Sequence, residues 1–556
     1  MSKFEFSEMQ INAIRHDKGP ALVIAGPGSG KTTVIISRLL RLASEYTDSK
    51  FLSLTFSSAA AKEMASRFST AVADSSMSPY EKASALERTD FSTVHALAYS
   101  VMLDSAAFHG RKVIESDEKI SCIKSLSKEI NSEELPLSDC DTLVSFIGRI
   151  RSNPAQKEKL MKNIQVRNFE KIYNGYAEYK KQNGLIDFED MVSEAVVLLQ
   201  SDKYIRKKFC QKYAFVQADE AQDLTSEQFC FIRLLSPEQN IFVVGDDDQS
   251  IYGFRGASPE CMKEFAETSG CRFYALSENH RCCSKVVSLS SRIICQNSGR
   301  FSKNLISVTA TEGKVNLLHV KDSCCLGRFI VSDLSSGSAG ILYRNNRSAF
   351  SVMTALINAK IPFSVNGSVF CEIDRYFNLF YLECIKENIT PRRFIRKKGA
   401  EEIRNMFLKS NSLYRKDREN VDLALDLVLL LAKLYKSTVD FQAAAAKLFT
   451  VAEEGVFLPA EKPHVFLSTI HSSKGLEYDN VYIIDVNKNE FPGKSSAEGK
   501  LLCEERRLFY VGITRAKSRL NIIYSENRSG TKSEESILFR EALKAGTGIP
   551  GSPHKE

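Results

Sequence analysis

Residues 25–33 read AGPGSGKTT, a composition and spacing suited to holding phosphate. The apolar run ALVI (21–24) precedes them, and VIISRLLRL (34–42) follows with helical spacing. A strand ending in Ala25 would feed a turn through Gly26, Pro27, Gly28, Ser29 and Gly30, whose glycines let backbone N–H groups face inward. A helix starting near Lys31 adds the positive end of its dipole, so the turn favours a triphosphate. Lys31 would reach the β- and γ-phosphates, and the Thr32 hydroxyl would ligate Mg2+. Ala25 stands where the strict G-x-x-x-x-G-K-[ST] pattern has its first glycine, and Thr33 closes the segment.

A nucleotide site also needs a carboxylate for the metal and a base for water. The stretch YAFVQADEAQD (213–223) offers both at a strand end: Asp219 for Mg2+ and Glu220 to activate the attacking water. By itself such a pair also reads as a solvated strand end. Further on, IFVVGDDDQSIYGFRGA (241–257) runs from an apolar strand into three aspartates, then Gln249, placed to sense a γ-phosphate. Tyr252, Phe254 and Arg255 follow, two aromatic faces and a cation that suit the bases and phosphates of a single strand. The same two rings could equally be core aromatics.

Strand patterns alternating with helical ones are needed to position such turns, and they define an α/β chain with parallel sheets. At 556 residues several domains are expected. The densest apolar run, LALDLVLLLAKLY (423–435), is interrupted by Asp426 and Lys433 and reads as a core helix, so no membrane span is expected. The first ten residues lack an apolar signal core, and the 14 cysteines form no C-x-x-C pair, which points to a cytoplasmic protein with reduced thiols. A net charge of +7 is compatible with a polyanionic partner.

With these motifs the chain resembles the UvrD/Rep family of superfamily 1 DNA helicases. The segment FSEMQINAI (6–14) is similar to the family's adenine-reading segment, with Gln10 as the amide; LTFSSAAAKEMASRF (54–68) would place Phe56 on DNA, and FSTVHALAYSVM (91–102) would place His95 there. LSENHRC (276–282) resembles a later motif with Arg281 as a finger, and GILYRNNRS (340–348) the next. LSTIHSSKGLEYDNVYIIDV (467–486) and EERRLFYVGITRAKSRL (504–520) complete the order. The resemblance implies ATP and Mg2+ as cofactors, and 3′→5′ movement on single-stranded DNA with unwinding of duplex. It implies that Arg281 and Arg515 act on the γ-phosphate from a second domain, that Glu477 bonds the ribose, and that His471 and Ser472 touch DNA. Fingers of this kind are worth roughly 10³–10⁵ in rate. The chain departs from the family at His280 in place of a Tyr that stacks on adenine, Phe254 for Trp, Ala59 for Lys, and Thr33 for Arg.

The expected architecture is two RecA-like halves, each carrying a mainly helical insertion. The first half would comprise 1–95 and 205–275, with its insertion at 96–204. The second would comprise 276–368 and 462–543, with a short insertion at 369–461 and a disordered tail at 544–556. The second insertion is shorter than is usual for the family. Where family members have a glycine-containing turn against duplex DNA, NITPRRFIRKKGAEEI (388–403) carries Arg392, Arg393, Arg396, Lys397 and Lys398. That cluster reads either as a phosphate-contact patch or as a solvated face. Duplex–single-strand junctions are therefore expected partners, with no membrane. A second reading is an ATPase subunit or ATP-gated clamp that unwinds only with a protein partner, such as a nuclease. Repair, replication and phage defense are all open as pathways.

Overall fold

In the computed structural model the described residues are 6–546, without 106–107, 133–134, 136, 152–156, 163–165, 237, 367–372, 410–414, 459–463 and 529–530. The chain divides into two compact units. The first holds residues up to Asn279 and takes back Arg300–Leu305; the second holds His280–Gly299 and everything from Ile306. The chain had been expected to pass at 276 into a second half without returning.

The first unit is built on a six-stranded sheet. Its strands are β1 (Ala21–Ala25), β2 (Phe51–Thr55), β3 (Thr89–Thr93), β4 (Phe215–Ala218), β5 (Ile241–Gly245) and β6 (Arg272–Leu276). Their order across the sheet is β3-β2-β4-β5-β1-β6, every pair parallel. Strands β1, β2, β4 and β5 are buried along their whole length, as parallel strands covered on both faces must be. That burial explains why they read as continuous apolar runs. Because β1 lies beside β5, and β5 beside β4, the turns leaving these three strands emerge side by side at one edge of the sheet. In open α/β sheets ligands bind at the carboxyl ends of strands.

The insertion at 96–204 is mainly helical, with a two-residue parallel pairing of Lys112–Val113 with Leu185–Ile186. The acidic start of DFEDMVSEAVVLL is a capping box: Asp187 accepts from the Asp190 N–H, and Asp190 accepts from the Asp187 N–H. Of the insertion's basic positions, Arg151 is turned onto Asp190 and Lys157 lies 4.9 Å from the Tyr173 ring centre. The side chains of Arg149, Lys159 and Lys162 lie outside the described residues.

The second unit has an eight-stranded sheet. Its strands are β7 (Lys314–Asp322), β8 (Ala339–Tyr343), β9 (Phe363–Asn366), β10 (Val456–Phe457), β11 (Val465–Thr469), β12 (Tyr478–Ile483), β13 (Ala516–Arg528) and β14 (Thr531–Lys532). The path β7-β13-β12-β8-β11-β9 is parallel throughout; β10 adds antiparallel to β9, and β14 to β13. Both units are thus α/β with RecA-like parallel sheets.

Among the described residues, the second insertion holds four helices, Asp374–Lys386, Pro391–Lys409, Arg415–Leu434 and Thr438–Glu454. Leu427, Val428 and Leu431 of the dense apolar run are fully buried there, so this segment is a core helix. No described helix is long and apolar enough to cross a membrane. In the basic stretch Gly399, at φ +78°, interrupts the helix 391–409. Lys397 pairs with Glu387 at 2.7 Å and Lys398 with Glu402 at 2.8 Å, so part of the cluster is neutralised by its own helices. The helix Ile537–Gly546 runs three residues into the expected tail; residues 547–556 lie outside those described. All described cysteines are free.

Candidate active site

The glycine-rich turn joins β1 to helix α2, Lys31–Glu45. Gly30 caps α2 in the left-handed region, at φ +78°, which glycine adopts without strain. The Ser29 hydroxyl donates to the Gly26 carbonyl at 2.7 Å, and the Lys31 ammonium folds back to donate to the Ala25 carbonyl at 3.1 Å. Gln10, 1% exposed, lies in helix α1 (Glu8–Ile14). Its amide accepts from the Ser7 N–H at 3.0 Å and donates to the Ser29 carbonyl at 3.0 Å. The residue expected to read adenine is therefore held against the phosphate loop itself. Pro27 is fixed by the buried Asn279, whose amide donates to its carbonyl at 2.8 Å. Thr32 and Thr33 are half-buried in the first turn of α2.

Asp219 and Glu220 follow β4. Asp219 is buried, and one of its oxygens accepts from the Glu220 N–H at 2.8 Å. Glu220 takes a left-handed φ of +53°, a conformation that costs a non-glycine residue about 1–2 kcal/mol. Gln222, fully buried, links this turn to the next: its amide donates to the Glu220 carboxylate and accepts from the Asp246 N–H at 2.9 Å. The turn after β5 holds Asp246, Asp247, Asp248 and Gln249, all buried. Gln249 donates its amide to Asp246 at 2.6 Å.

Thr32 and Asp219 offer hard oxygen donors, the ligand type Mg2+ requires. The tightest carboxylate group among the described residues is instead Asp246–Asp248, and it already surrounds the Lys303 ammonium.

On the proposed DNA side, Phe56 stacks on Tyr252 with ring centres 5.4 Å apart and planes 8° from parallel. The exposed Arg255 lies 5.2 Å from the Tyr252 ring centre. Both rings are half-buried. The side chain of Phe254 lies outside the described residues. His95 meets Phe188 edge-on at 6.2 Å, and burial lowers its pKa.

The second unit brings Arg281, Glu477 and Arg515 together. Arg281 donates to the Glu477 carboxylate at 2.6 Å, and Lys517 contacts its other oxygen at 2.9 Å. Burial opposes ionisation of Glu477, but the Lys517 hydrogen bond and the Arg281 charge outweigh it and hold the carboxyl below its ordinary range. Arg515, 1% exposed, donates to the carbonyls of Val511 and Leu476, both at 3.0 Å, and to the Thr514 hydroxyl at 3.3 Å. His471 and Ser472 sit in the turn after β11, where the Thr469 hydroxyl donates to that of Ser472 at 3.0 Å. Gln222, Asn279, Arg300 and Lys303 escaped sequence reasoning. Gln222 alone had a local signal, two residues after Glu220.

A glycine turn between a buried parallel strand and a helix, with acidic turns on two nearby strand ends, defines a P-loop nucleotide fold. The chain also matches two family models: the UvrD/REP helicase N-terminal domain over residues 6–269 and the UvrD-like helicase C-terminal domain over residues 430–527. The chain belongs to the UvrD/Rep helicase family. It is 25% identical to "ATP-dependent DNA helicase Rep" of Buchnera aphidicola subsp. Acyrthosiphon pisum, covering 94% of this chain and 95% of that protein. It is 25% identical to "DNA helicase II" of Escherichia coli (94% and 84%) and 23% identical to "ATP-dependent DNA helicase PcrA" of Leuconostoc citreum (92% and 80%).

Proposed function

We propose that this chain is an ATP-dependent DNA helicase that couples Mg-ATP hydrolysis to 3′→5′ movement along single-stranded DNA and unwinds duplex ahead of it. The carrying observation is that one short turn holds both ends of the coupling. Gln249, in contact with Asp246, is three residues from Tyr252, which stacks on Phe56. A change at the phosphate end of that turn moves the aromatic platform, and DNA on the platform acts back on Gln249. The family relationship supports ATP as the nucleotide and DNA as the track; polarity and Mg2+ are carried from the resemblance.

In this reading Lys31 binds the β- and γ-phosphates, and Thr32 and Asp219 hold the metal, which when bound neutralises phosphate charge. Glu220 takes the proton of the attacking water. Gln10, Ala25 to Thr33 and Glu477 shape the nucleotide site, and Arg281 and Arg515 supply positive charge for the transferring phosphoryl group. Phe56, His95, Tyr252, Phe254, Arg255, His471 and Ser472 line the DNA track, and Arg392 and Arg393, both exposed, are the cluster's candidates for duplex phosphates.

ATP turnover measured with and without a single-stranded oligonucleotide tests the coupling. Strong stimulation is expected; equal rates would remove the motor reading. The shortness of the second insertion favours a second reading, a partner-dependent subunit. That reading predicts DNA-stimulated ATPase without strand displacement until a partner is added.

A further inference from the structure

Lys303 is 8% exposed and lies in the short segment Arg300–Leu305, which returns to the first unit between two stretches of the second. Its ammonium contacts Asp246 and Asp247 at 2.5 Å and Asp248 at 2.8 Å. Arg300 adds a two-pronged pair to Asp248, at 2.9 and 2.5 Å, and the Phe301 N–H donates to Asp247 at 2.9 Å. Three buried carboxylates thus meet two cations and a backbone donor, all from one segment. Burial disfavours the Lys303 charge, yet the three carboxylates outweigh it and raise its pKa. Asp246 is the critical member. One oxygen takes Lys303; the other accepts the Gln249 amide at 2.6 Å. Its carboxyl is held below the ordinary range because the charges of Lys303 and Lys31 overcome its burial. The segment also closes on the phosphate loop: a Cβ on Gly26 would lie 2.4 Å from Leu305 Cδ2.

We infer that Lys303 is a positioning residue for Gln249: by holding the Asp246 carboxylate in place, it fixes the Gln249 amide in the pose from which it meets the γ-phosphate. The inference rests on the role proposed for Gln249. Without the ammonium, the three adjacent carboxylates repel one another, and an Asp246 rotated out of place no longer holds the amide. Lys303 acts here through Asp246, so its loss is expected in turnover rather than in ATP binding.

The test is a double-mutant cycle on the full-length protein, with kcat and KM for ATP measured in the presence of a single-stranded oligonucleotide. Gln249→Ala should lower kcat. Lys303→Met should lower kcat about 10–100-fold, the scale for a misplaced catalytic group, with KM little changed. The double variant should be no slower than Gln249→Ala alone, since residues acting through one another are not additive. Where Lys303→Met does not fold, K303M/D247N removes one carboxylate with the cation, leaves Asp246 intact, and takes its place in the cycle. A wild-type kcat for the Lys303 variant, a loss expressed in KM, or additive losses would each overturn the inference. Wild-type turnover in Gln249→Ala would overturn the underlying role of Gln249 itself, an outcome distinct from the others.

Discussion

Arg281→Ala and Arg515→Ala should each slow ATP hydrolysis by about 10³–10⁵-fold while leaving ATP binding nearly intact, the signature of cations that act on the transition state. The two sites differ in what else the substitution removes. Arg281 pairs with Glu477, which keeps Lys517 as a second partner. Its loss should therefore leave stability almost unchanged. Arg515 is buried and donates to two carbonyls and a hydroxyl. Truncating it leaves those acceptors without this donor, at about 1–3 kcal/mol per buried unsatisfied group. A thermal melt beside the kinetics separates the effects. If saturating ATP restores normal turnover in Arg281→Ala, the arginine contributes to binding and the finger role is wrong.

Glu220→Gln should retain ATP binding and lose about 10²–10⁴ in turnover, the range for a positioned general base. Lys31→Ala should reduce turnover further by weakening both binding and chemistry. The glutamine variant is informative because Gln222 already donates an amide to the Glu220 carboxylate. A glutamine at 220 can still accept that hydrogen bond through its carbonyl, so the turn keeps its geometry while the base is removed. A pre-steady-state binding measurement with a fluorescent ATP analogue, followed by turnover, checks both halves of the expectation. Retained hydrolysis in Glu220→Gln would assign the base elsewhere.

The parts of this site that were legible in the sequence are those whose function lies in consecutive residues. Gly26 to Thr32 specify a turn and the helix start after it, and the Asp219–Glu220 pair follows a buried strand as its apolar run implies. Helical periodicity likewise exposed both insertions, including the core helix through Leu427 and Leu431. What stayed hidden depends on chain segments far apart. Nothing around Lys303 in SGRFSKNL distinguishes it from a surface lysine, because its three partners lie more than 50 residues earlier. Gln222 meets the Asp246 backbone across a sheet edge, a contact that only the order of β4 and β5 creates. In 388–403 the sequence shows the basic run and Gly399, but not that the left-handed backbone of Gly399 divides the helix.

The excursion of the chain through 280–299 before Arg300–Leu305 has a consequence for dissecting the protein. A gene fragment ending at residue 279 would encode the six-stranded sheet with its acidic turn but without the cations that pair with it. Asp246, Asp247 and Asp248 would be retained, and both cations that neutralise them would be left behind on the discarded piece. Such a fragment is a natural candidate for complementation in trans. A synthetic peptide spanning 298–307 carries Arg300, Lys303 and Leu305 together. Added to the fragment, it should raise the fragment's melting temperature, and the same peptide with Lys303 replaced by methionine should fail to do so.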